Sequence, residues 1–579
     1  MSNTFTCSFE YVNHDGQLVP MTFTNPITII QAIRIEEVIP ALREIETAVE
    51  KGYYAAGFLS YESAPAFESA FKVHESPTMP LLWFGIFEEP EYRKLERARH
   101  YTLSEWTPNV SHEEYAASIQ AIRDAIELGI TYQTNYTIRL TADFEGDDLS
   151  LFTKMKRAQA SNYCSYVNTG EHSILSASPE LFFHLKGNHI KTKPMKGTLK
   201  RGLYYEEDEA NREWLNHSEK NRSENVMIVD LLRNDLGMIA EAGSVKVTEL
   251  FKIEKYPTVL QMTSTIEAEI SSDKTIVDIF KALFPCGSIT GAPKISTMDV
   301  IAGLETAPRE VYCGTIGFIT PEKEAVFNVP IRTMMIVQKT GKATYGVGGG
   351  ITWDSTAEDE YEEVLAKASF LKTERPDFEI LESILLEDGA YFLLTEHLQR
   401  MKKSAHYFNF EFPHKKIMET LDECSSNHPV GSFKVRLLLN KSGDVEIEAQ
   451  QITQIETPIL IGLAEKPVNR QNPFLYNKTT NRKIYSELKL QKQDVFDTLL
   501  WNKNHELTEF CNGNIVLEID GDLFTPPVRS GLLPGTFRNS LLNDEVIKEK
   551  VLSISDLNRS TKIWFINSVR RWLEVKLKK

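Results

Sequence analysis

A break in the hydrophobic pattern near residue 375 limits the folds open to this chain more than any other feature. A helical pattern of apolar residues runs up to Lys372 and stops at the charged, proline-containing segment Thr373–Asp377, which is typical of a link between structured regions. From Phe378 onward, apolar and polar residues alternate as in a β-strand. Because 579 residues exceed what one hydrophobic core can hold, the break predicts a boundary between two domains.

Both regions mix helices with strands, so we expect an α/β (α+β) protein. Residues 1–105 combine short β-rich runs with a helix predicted at Ile39–Lys51, in which Pro40 fits the first turn. A capping box, formed by a serine and a glutamate three residues later, opens another helix at Ser111. The predicted regions are an N-terminal subdomain at 1–105, a core at 106–372, a link at 373–377 and a second domain at 378–579.

Composition narrows the class of partner. The chain has 81 acidic and 64 basic residues and a formal net charge of −17, which argues against nucleic acid or an anionic membrane as the main partner. The six cysteines are scattered without paired spacing, so neither a zinc site nor a disulfide framework is expected. The N-terminus lacks a signal-peptide pattern, and no apolar run approaches the ~20 residues that span a bilayer. We expect a cytoplasmic enzyme or binding protein.

Lys196 lies in a short proline-to-glycine turn, Lys193–Thr198. A lysine in such a turn is most often an ordinary solvated charge. Here Glu180 precedes the turn and a helix that carries Glu224 follows it. This combination favours a nucleophilic amine held among carboxylates.

Two predicted helices carry acidic residues beside their apolar faces. The first covers residues 216–236, where Glu224 shares a face with Ile228 and Leu231. That spacing turns the carboxylate toward a packed interior. Because a buried carboxylate is costly without a partner, Glu224 is expected to meet a cation.

The second acidic helix is predicted at Ser355–Lys372, and Ser355 and Glu358 match a capping box at its start. Most of its acidic residues are expected to lie on a solvent-exposed face of the helix. Glu360 and Glu363 instead border the apolar stripe. They could join Glu224 around one Mg²⁺, which prefers a few carboxylates together with waters and substrate oxygens.

Glycine-rich strands lie between the two acidic helices, and Gly346–Gly350 contains three consecutive glycines. Glycine suits either the close approach of a ligand or a bulge or tight turn. Three glycines in a row beside a strand favour the approach of a ligand. The segment does not match a dinucleotide-binding loop, since the GxGxxG spacing and a following helix are missing.

With these motifs, residues 1–372 resemble the chorismate-binding enzymes, a family that includes anthranilate synthase, aminodeoxychorismate synthase, isochorismate synthase and salicylate synthase. The resemblance implies a layered α/β/β/α sandwich. The matching blocks are Ser178–Glu180, Pro194–Thr198, Glu224–Asp235, Gly287–Lys294, Ile331–Thr333 and the final acidic helix.

The resemblance also implies a magnesium ion and a chorismate site. Glu224 and Glu363 would hold Mg²⁺ on a chorismate carboxylate, with Glu360 close by. A dianion that enters an acidic protein needs a divalent ion, an arginine and backbone donors. The implied substrate-binding residues are Gln133, Gly197, Thr198, Thr290, Tyr312, Arg332, Gly348, Gly349 and Gly350.

Two positions indicate which reaction the resemblance implies. Gln133 stands where water-using members carry a lysine as general base, which favours ammonia as the nucleophile. Lys196 stands where anthranilate synthases usually have alanine. Its amine would attack C2 of chorismate while Glu180 protonates the departing 4-hydroxyl, and ammonia would then enter at C4 to give 4-amino-4-deoxychorismate. The alternative is the ortho product of an anthranilate synthase large subunit.

Two further expectations follow from the resemblance. Many relatives have a histidine where this chain has Gln261, so that position is given no role in proton transfer. No Cys–His–Glu glutaminase set is visible in the sequence. A separate glutamine amidotransferase subunit is therefore the expected ammonia donor.

Residues 378–579 resemble the class IV pyridoxal-phosphate enzymes, which include branched-chain and D-amino-acid aminotransferases and aminodeoxychorismate lyase. The matching blocks are His397–Arg400, Lys478–Arg482, Glu509 with Asn514–Ile515, Ser530–Arg538 and Asn567–Arg570. The resemblance implies pyridoxal phosphate bound covalently to Lys478, with Glu509 against its ring nitrogen. The other implied cofactor ligands are Arg400, Asn514 and Thr536.

The Lys-x-x-Asn-Arg spacing is closer to the lyase pattern, and the upstream domain would make the substrate of a lyase. Lys478 would remove the C4 proton, and pyruvate would leave as 4-aminobenzoate forms on the way to folate. Phe537 and Arg571 depart from the threonine and glycine common at their positions. The alternatives are an aminotransferase or a non-catalytic module that docks the amidotransferase. A homodimer is expected because class IV relatives are usually dimers.

Overall fold

The computed structural model describes residues 5–75, 77–369, 376–453, 455, 459–490 and 495–578. The chain divides into two compact units. The first consists of Met1–Lys200 and Arg212–Arg375, and the second of Arg201–Asn211 and Pro376–Lys579. Residues 373–375 of the predicted link lie outside the described residues. No described helix is both long and apolar enough to cross a membrane.

Two ten-stranded sheets form the centre of the first unit. Its strands are β1 Thr6–Val12, β2 Leu18–Thr24, β3 Thr28–Ala32, β4 Tyr54–Leu59, β5 Leu82–Phe87, β6 Tyr101–Leu103, β7 Thr107–Pro108, β8 Gln133–Gly146, β9 Tyr163–Asn168, β10 His172–Ser178, β11 Leu181–Lys186, β12 His189–Lys193, β13 Met195–Lys200, β14 Lys246–Lys255, β15 Val259–Glu269, β16 Gly291–Ala292, β17 Thr315–Ile319, β18 Ala325–Asn328, β19 Thr333–Val337 and β20 Lys342–Ile351. One sheet has the order β16-β8-β20-β19-β10-β9-β1-β2, with β6 and β7 also paired to β8. The other has the order β13-β15-β12-β11-β18-β17-β4-β5-β3, with β14 also paired to β15.

Eight helices accompany these sheets in the sequence. They are α1 Ile35–Glu50, α2 His112–Glu127, α3 Asp148–Gln159, α4 Tyr205–His217, α5 Glu219–Gly237, α6 Ile276–Leu283, α7 Lys294–Leu304 and α8 Ala357–Ser369. Apolar side chains from both sheets, such as Phe9 of β1 and Phe58 of β4, pack together between them. Helices α1, α5 and α6 cover the outer face of one sheet, and α2, α3 and α8 cover that of the other. The predicted α/β/β/α layering is confirmed.

The start of α2 follows the predicted capping box. The Ser111 hydroxyl accepts a hydrogen bond from the backbone N–H of Glu114 at 3.2 Å, and the Glu114 carboxylate accepts one from Ser111 N–H at 2.7 Å. The start of α1 was predicted too late. The Glu37 carboxylate accepts from the backbone N–H of Arg34 at 3.1 Å, so the helix begins at Ile35 and Pro40 lies inside it rather than in its first turn.

The residue that caps the start of α8 also differs from the prediction, by one position. The hydroxyl of Thr356, rather than that of Ser355, accepts from the backbone N–H of Asp359 at 3.2 Å. Ser355 instead donates to the carboxylate of Glu360 at 2.7 Å. The residue predicted to cap the helix therefore orients one of its acidic side chains.

The second unit contains a four-stranded sheet and an eight-stranded sheet. Its elements are β21 Ile380–Glu387, β22 Ala390–Tyr391, α9 Leu394–Phe408, α10 His414–Asn427, β23 Ser432–Leu439, β24 Val445–Gln451, β25 Leu460–Leu463, α11 Lys483–Leu488, β26 Asp497–Trp501, β27 Leu507–Phe510, β28 Asn514–Ile519, β29 Asp522–Thr525, α12 Thr536–Asn543, β30 Lys548–Glu549, β31 Lys562–Asn567 and β32 Arg571–Leu577. The small sheet has the order β22-β21-β23-β24, and α9 and α10 pack on it around Ile384 and Leu437. The large sheet has the order β27-β26-β25-β32-β31-β28-β29-β30. Because β27 also pairs with β28, six of its strands close into a barrel.

Residues 201–211 belong to the second unit, although the sequence analysis placed them in the first domain. The Arg201 guanidinium forms two hydrogen bonds with the Asp208 carboxylate and donates another to the backbone carbonyl of Tyr407 at 2.7 Å. The Tyr407 hydroxyl donates to the carbonyl of Gly202 at 2.7 Å. These buried polar contacts make the segment part of the second unit.

Candidate active sites

A cavity of about 400 Å³ in the first unit brings together nearly all of the residues predicted for its site. The predicted residues that line it are Gln133, Glu180, Lys196, Gly197, Thr198, Glu224, Tyr312, Arg332, Gly348, Gly349, Gly350, Glu360 and Glu363. They come from strands of both sheets and from helices α5 and α8. Residues far apart in the sequence therefore meet in one cavity.

Lys196 lies on β13, where the backbone bends at Gly197. Gly197 has a φ of +90°, a left-handed conformation that glycine adopts without strain. The Gln261 side chain on neighbouring β15 accepts a hydrogen bond from the Thr198 hydroxyl at 2.8 Å and donates one to the Gly197 carbonyl at 3.0 Å. This side chain fixes the bend that carries Lys196.

The Lys196 amine is favoured in its neutral form by burial. Loss of solvent lowers the pKa of Lys196, and the carboxylates of Glu224 and Glu180 oppose that shift. A lysine with a lowered pKa keeps a larger fraction of unprotonated, nucleophilic amine near neutral pH. The surroundings of Lys196 therefore suit a nucleophile better than a solvated charge.

Glu180 follows β10 and is 2% exposed. The Ser288 hydroxyl donates to one of its carboxylate oxygens at 2.6 Å. Burial raises the pKa of Glu180 to about 7, and the Ser288 hydrogen bond and the Lys196 charge oppose that shift. A carboxyl group with this pKa is partly protonated at neutral pH and can act as a general acid.

The glycines of β20 provide room for the side chains of the site. A Cβ atom at Gly350 would lie 2.4 Å from Nε2 of Gln133 and 2.9 Å from Nζ of Lys196. A Cβ at Gly349 would lie 2.9 Å from Oε2 of Glu360. The predicted close approach to the glycine run is thus made, in the structure, by side chains of the protein itself.

Gln133 is 1% exposed, yet neither its amide oxygen nor its amide nitrogen has a hydrogen-bond partner within the described part of the chain. A buried amide without partners is costly, by about 1–3 kcal/mol. Because Gln133 lines the cavity, its amide is available to a ligand that can both donate and accept hydrogen bonds.

The three predicted metal ligands lie in different environments. Burial raises the pKa values of Glu224 and Glu360, whereas the Lys367 ammonium lowers that of Glu363. Lys367 forms an ion pair with Glu363, whose side chain is 52% exposed, and it also donates to the Gly348 carbonyl at 2.8 Å. Among the residues that the structure describes, no three His, Cys, Asp or Glu side chains lie close enough together to form a metal site. The donor set still fits Mg²⁺, which binds through one or two carboxylates plus substrate oxygens and waters.

Arg332 and Tyr312 complete the polar wall of the cavity. Arg332 has a φ of +53°, a strained conformation for a residue with a side chain, and its guanidinium donates to the Lys367 carbonyl at 2.8 Å. The Tyr312 ring lies under the Arg139 guanidinium, 5.2 Å from the ring centroid. A Cβ at Gly346 would come within 2.3 Å of this ring, so a side chain at Gly346 would displace Tyr312.

A second cavity, of about 340 Å³, lies in the second unit. All of the predicted cofactor ligands line it: Arg400, Lys478, Glu509, Asn514 and Thr536. The residues therefore fit pyridoxal phosphate, because they combine an amine, a carboxylate and phosphate-binding groups around a single cavity.

Lys478 is half-buried and Glu509 is buried, and the pKa values of both are strongly shifted. Burial and the Arg400 charge lower the pKa of Lys478 to about 7. Burial raises the pKa of Glu509 to about 8, and the Tyr485 hydroxyl, which donates to Glu509 at 2.8 Å, opposes that shift. A lysine with a pKa near 7 can serve as a nucleophile and as a base at neutral pH.

Arg400 is oriented by a buried acid, Glu382. The Arg400 guanidinium donates to both carboxylate oxygens of Glu382, at 2.9 and 2.7 Å, and to the Pro534 carbonyl at 3.1 Å. His397 contacts the same carboxylate at 2.7 Å and the Thr536 hydroxyl at 3.2 Å. Burial alone would raise the pKa of Glu382, but Arg400 and His397 hold it at about 2. Thr536 and Arg400 are thus connected through His397 and the Glu382 carboxylate.

Comparison with protein families assigns the first unit. The family model described as chorismate binding enzyme matches residues 13–373. The chain belongs to the chorismate-binding enzyme family. A second family model, described as amino-transferase class IV, matches residues 379–577. The predicted fusion of a chorismate-binding domain with a class IV domain is confirmed.

Relatives of the chorismate-binding domain include two kinds of enzyme. Aminodeoxychorismate synthase component 1 of Klebsiella aerogenes is 37% identical over 297 residues, 51% of this chain and 64% of that protein. Anthranilate synthase component 1 of Lactococcus lactis is 35% identical over 263 residues, 45% of this chain and 57% of that protein. The chain therefore spans less than two thirds of the length of these curated relatives. A crystal structure of anthranilate synthase component I from Streptococcus pneumoniae, with 24% identity and a TM-score of 0.52, covers 64% of this chain and 90% of its own chain and supports the fold.

Thr290 is the one predicted substrate residue that does not line the cavity of the chorismate-binding domain. Its hydroxyl is fully buried and donates to the backbone carbonyl of Cys286 at 3.1 Å. It stabilises the loop that carries Ser288, and its role in substrate binding stays a prediction.

Several polar residues of the two sites were missed by the sequence reasoning, among them Ser288, Lys367, Glu382 and Tyr485. Ser288 and Lys367 lie inside recognised segments, but a serine or lysine alone carries no signal of its partner. Glu382 lies in a strand of alternating apolar and polar residues, where a buried acid was not expected. The role of Tyr485 follows only from its hydrogen bond to Glu509. These roles depend on contacts between distant segments.

The departure at Arg571 in the class IV domain has a structural consequence. Arg571 has a φ of +55°, a left-handed conformation that favours the glycine common at this position. Its guanidinium donates to Glu387 at 2.9 Å and stacks over the Phe392 ring at 4.8 Å. The departure at Phe537 places a ring in an apolar cluster with Val516.

Proposed function

We propose that the chain is a bifunctional enzyme that makes 4-aminobenzoate from chorismate and ammonia. The chorismate-binding domain would form 4-amino-4-deoxychorismate, and the class IV domain would release pyruvate from it. One observation carries the proposal: the half-buried Lys196 amine, with a lowered pKa, shares a cavity with the buried acid Glu180. This pair can perform the two displacements that lead to the para product.

In the first displacement, the neutral amine of Lys196 attacks C2 of the chorismate ring. Both ring double bonds shift, from C1=C2 and C5=C6 to C1=C6 and C4=C5, the bond from C4 to its hydroxyl breaks, and Glu180 protonates the departing group, which leaves as water. Both groups suit this step, since burial favours the neutral amine and the protonated carboxyl group. In the second displacement, ammonia attacks C4, the two double bonds return to C1=C2 and C5=C6, and the bond between C2 and Lys196 breaks. The incoming nitrogen loses one proton and the departing lysine nitrogen gains one, so the step balances.

Gln133 supports ammonia as the second nucleophile. A lysine at this position could act as a base toward water, whereas the neutral amide of Gln133 can only orient a nucleophile through hydrogen bonds. Its buried amide, without a partner among the described side chains and backbone, can accept a hydrogen bond from ammonia. This position therefore favours amination over hydroxylation.

The cavity offers several groups that would hold chorismate, a dianion. Glu224 and Glu363 would hold Mg²⁺, and this ion would neutralise a substrate carboxylate. For Glu363 to do so, it must turn away from its ion pair with Lys367. Arg332 and the Tyr312 hydroxyl would bind carboxylate oxygens directly.

In the class IV domain, Lys478 would remove the proton from C4 of 4-amino-4-deoxychorismate. Bound pyridoxal phosphate would accept the electron pair of that carbon, and Glu509 would keep the ring nitrogen protonated. The bond from C3 to the enolpyruvyl oxygen then breaks, and pyruvate and 4-aminobenzoate form without any other reactant. Arg400 and Thr536 would hold the cofactor phosphate.

Ammonia would come from a separate glutamine amidotransferase. The thiol of Cys286 is buried, and burial raises its pKa to about 12, which makes it a poor nucleophile. The partner proposal rests on this and on the similarity to a protein named as a component 1. Class IV enzymes are usually dimers, so we also propose that the second domain mediates a homodimer.

Incubation of the protein with chorismate, Mg²⁺ and an ammonium salt, with and without pyridoxal phosphate, tests the proposal. Product chromatography should show 4-amino-4-deoxychorismate without the cofactor, and 4-aminobenzoate with pyruvate when it is added. Accumulation of anthranilate would overturn the assignment of the first domain. Persistence of 4-amino-4-deoxychorismate in the presence of the cofactor would overturn that of the second.

A further inference from the structure

The cavity of the class IV domain contains three basic side chains that the cofactor site does not use. Lys434 lies on β23, Arg482 precedes α11, and Arg570 lies in the turn between β31 and β32. All three are half-buried. Glu509 is the single carboxylate among the described residues that line this cavity, and it accepts a hydrogen bond from Tyr485. The wall formed by these three side chains is therefore strongly cationic.

Lys434 has a basic neighbourhood and no acidic partner. No carboxylate in the described ranges lies within ion-pair distance of its amine. Burial lowers the pKa of Lys434, and the charges of Arg436, Arg482 and Arg570 lower it further, while the charge of Glu448 opposes the shift. In the register of β23 and β24, Lys434 lies opposite the neutral Gln450, whereas Arg436, two residues later on the same face, lies opposite Glu448. One cation of the strand is thus neutralised and the other is not.

The two arginines are held by neutral groups. The Arg570 guanidinium donates to the Thr453 carbonyl, and its backbone N–H donates to the Asn567 side chain at 2.7 Å. The Arg482 guanidinium donates to the Cys511 carbonyl at 2.6 Å and stacks over the Tyr485 ring at 4.6 Å. Carbonyl oxygens orient a guanidinium without cancelling its charge. Both side chains are therefore positioned in advance and keep their full attraction for an anion.

Three like charges around one small cavity repel each other, and this repulsion is large where solvent is partly excluded. A singly charged anion would leave most of this repulsion in place, whereas the two carboxylates of one cyclic dianion could offset it. The cofactor phosphate would not offset this repulsion, because it would bind to Arg400 and the Thr536 loop instead. Glu382 positions Arg400, and His397 contacts both Glu382 and Thr536.

We propose that Lys434, Arg482 and Arg570 form a subsite for the two carboxylates of a cyclic dicarboxylate substrate. The subsite rests on the proposed lyase function, whose substrate carries one carboxylate on the ring and another on the enolpyruvyl group. It selects this dianion over the single carboxylate of an ordinary amino acid. The three residues thereby direct the domain to elimination from a ring rather than to transamination of amino acids.

The test uses the full-length protein with pyridoxal phosphate bound, and two probes of one size class: isophthalate, a rigid dianion, and benzoate, its monoanionic counterpart. Binding is followed through the absorbance of the bound cofactor, which reports on the second cavity alone. Isophthalate should bind more tightly than benzoate. Lys434→Met and Arg570→Met should each weaken isophthalate binding about tenfold, because each removes one charge-assisted hydrogen bond.

Arg436→Met is the matched control, since it removes a neighbouring cation of the same strand that is paired with Glu448 and does not line the cavity. It should leave the binding of isophthalate within twofold. Arg570→Lys should retain most of the binding that Arg570→Met loses, which separates loss of charge from loss of folding. Each variant is first shown to keep the cofactor absorbance and the thermal midpoint of the parent protein.

Equal binding of the two probes, or unchanged isophthalate binding in Lys434→Met and Arg570→Met, would overturn the subsite. The lyase assignment would survive that result if the parent protein still released pyruvate. Conversely, charge-dependent isophthalate binding without any pyruvate release would support the subsite and defeat the proposed reaction.

Discussion

Replacing Gly350 by alanine should disable the first active site while leaving the fold intact. The new Cβ would lie 2.4 Å from Nε2 of Gln133 and 2.9 Å from Nζ of Lys196. An ordinary van der Waals contact of a Cβ atom is 3.4 Å or longer. Gln133 must therefore move by about 1 Å and Lys196 by about 0.5 Å. Because Gln133 has no hydrogen-bond partner within the described residues, its amide can move at little cost in stability.

A misplacement of about 1 Å at reacting groups can cost on the order of 10²-fold in rate. We therefore expect kcat/KM for 4-amino-4-deoxychorismate formation to fall about 10²-fold in Gly350→Ala, as measured by product chromatography with saturating ammonium. Release of pyruvate from supplied 4-amino-4-deoxychorismate should not change. Gly303→Ala is the control, because the Cβ added there, on an exposed helix position, would meet no atom within 4 Å. Full synthase activity in Gly350→Ala would refute the packing that we describe around Lys196.

Three further predictions concern individual groups. The synthase rate should fall as pH rises through about 7, because Glu180, whose pKa is raised by burial, then loses the proton that it donates. The rate should also fall at low pH, because the Lys196 amine is then protonated. A pH–rate profile that stays flat from pH 6 to 9 would contradict both roles. Glu363→Gln should raise the Mg²⁺ concentration needed for half-maximal activity at least tenfold, about the loss of one charged ligand, and an unchanged Mg²⁺ titration would exclude Glu363 as a ligand. Lys478→Ala should lose the absorbance band of the lysine-bound cofactor and accumulate 4-amino-4-deoxychorismate, so pyruvate release at the parent rate would contradict its role.

The arrangement of elements was largely predictable, because it depends on local signals. The capping box at Ser111 and the apolar spacing of α5 both led to the correct helices. The errors came where two local signals compete. Ser355 and Thr356 are both able to cap α8, and the choice between them depends on the contact of Ser355 with Glu360, which no local pattern reveals.

Functional residues could be predicted where a residue type is unusual for its sequence neighbourhood. They could not be predicted where the role of a residue depends on contact with a distant segment. Lys196 could be found because carboxylates lie near it in the sequence, and Lys478 because several matching motifs accompany it. The buried partners Ser288 and Glu382 could not, since each acts on a residue more than ten positions away in the chain. The lack of any partner for Gln133 is likewise a property of the folded cavity.

The most direct test of the central claim is the mass of the Lys196 peptide after the protein is mixed with chorismate and Mg²⁺ in the absence of ammonia and then digested. The proposed mechanism predicts that this peptide gains the mass of chorismate less one water, and that the added mass disappears when ammonium is supplied. An unmodified peptide, or the same added mass on the protein with Lys196→Ala, would contradict a covalent role for Lys196.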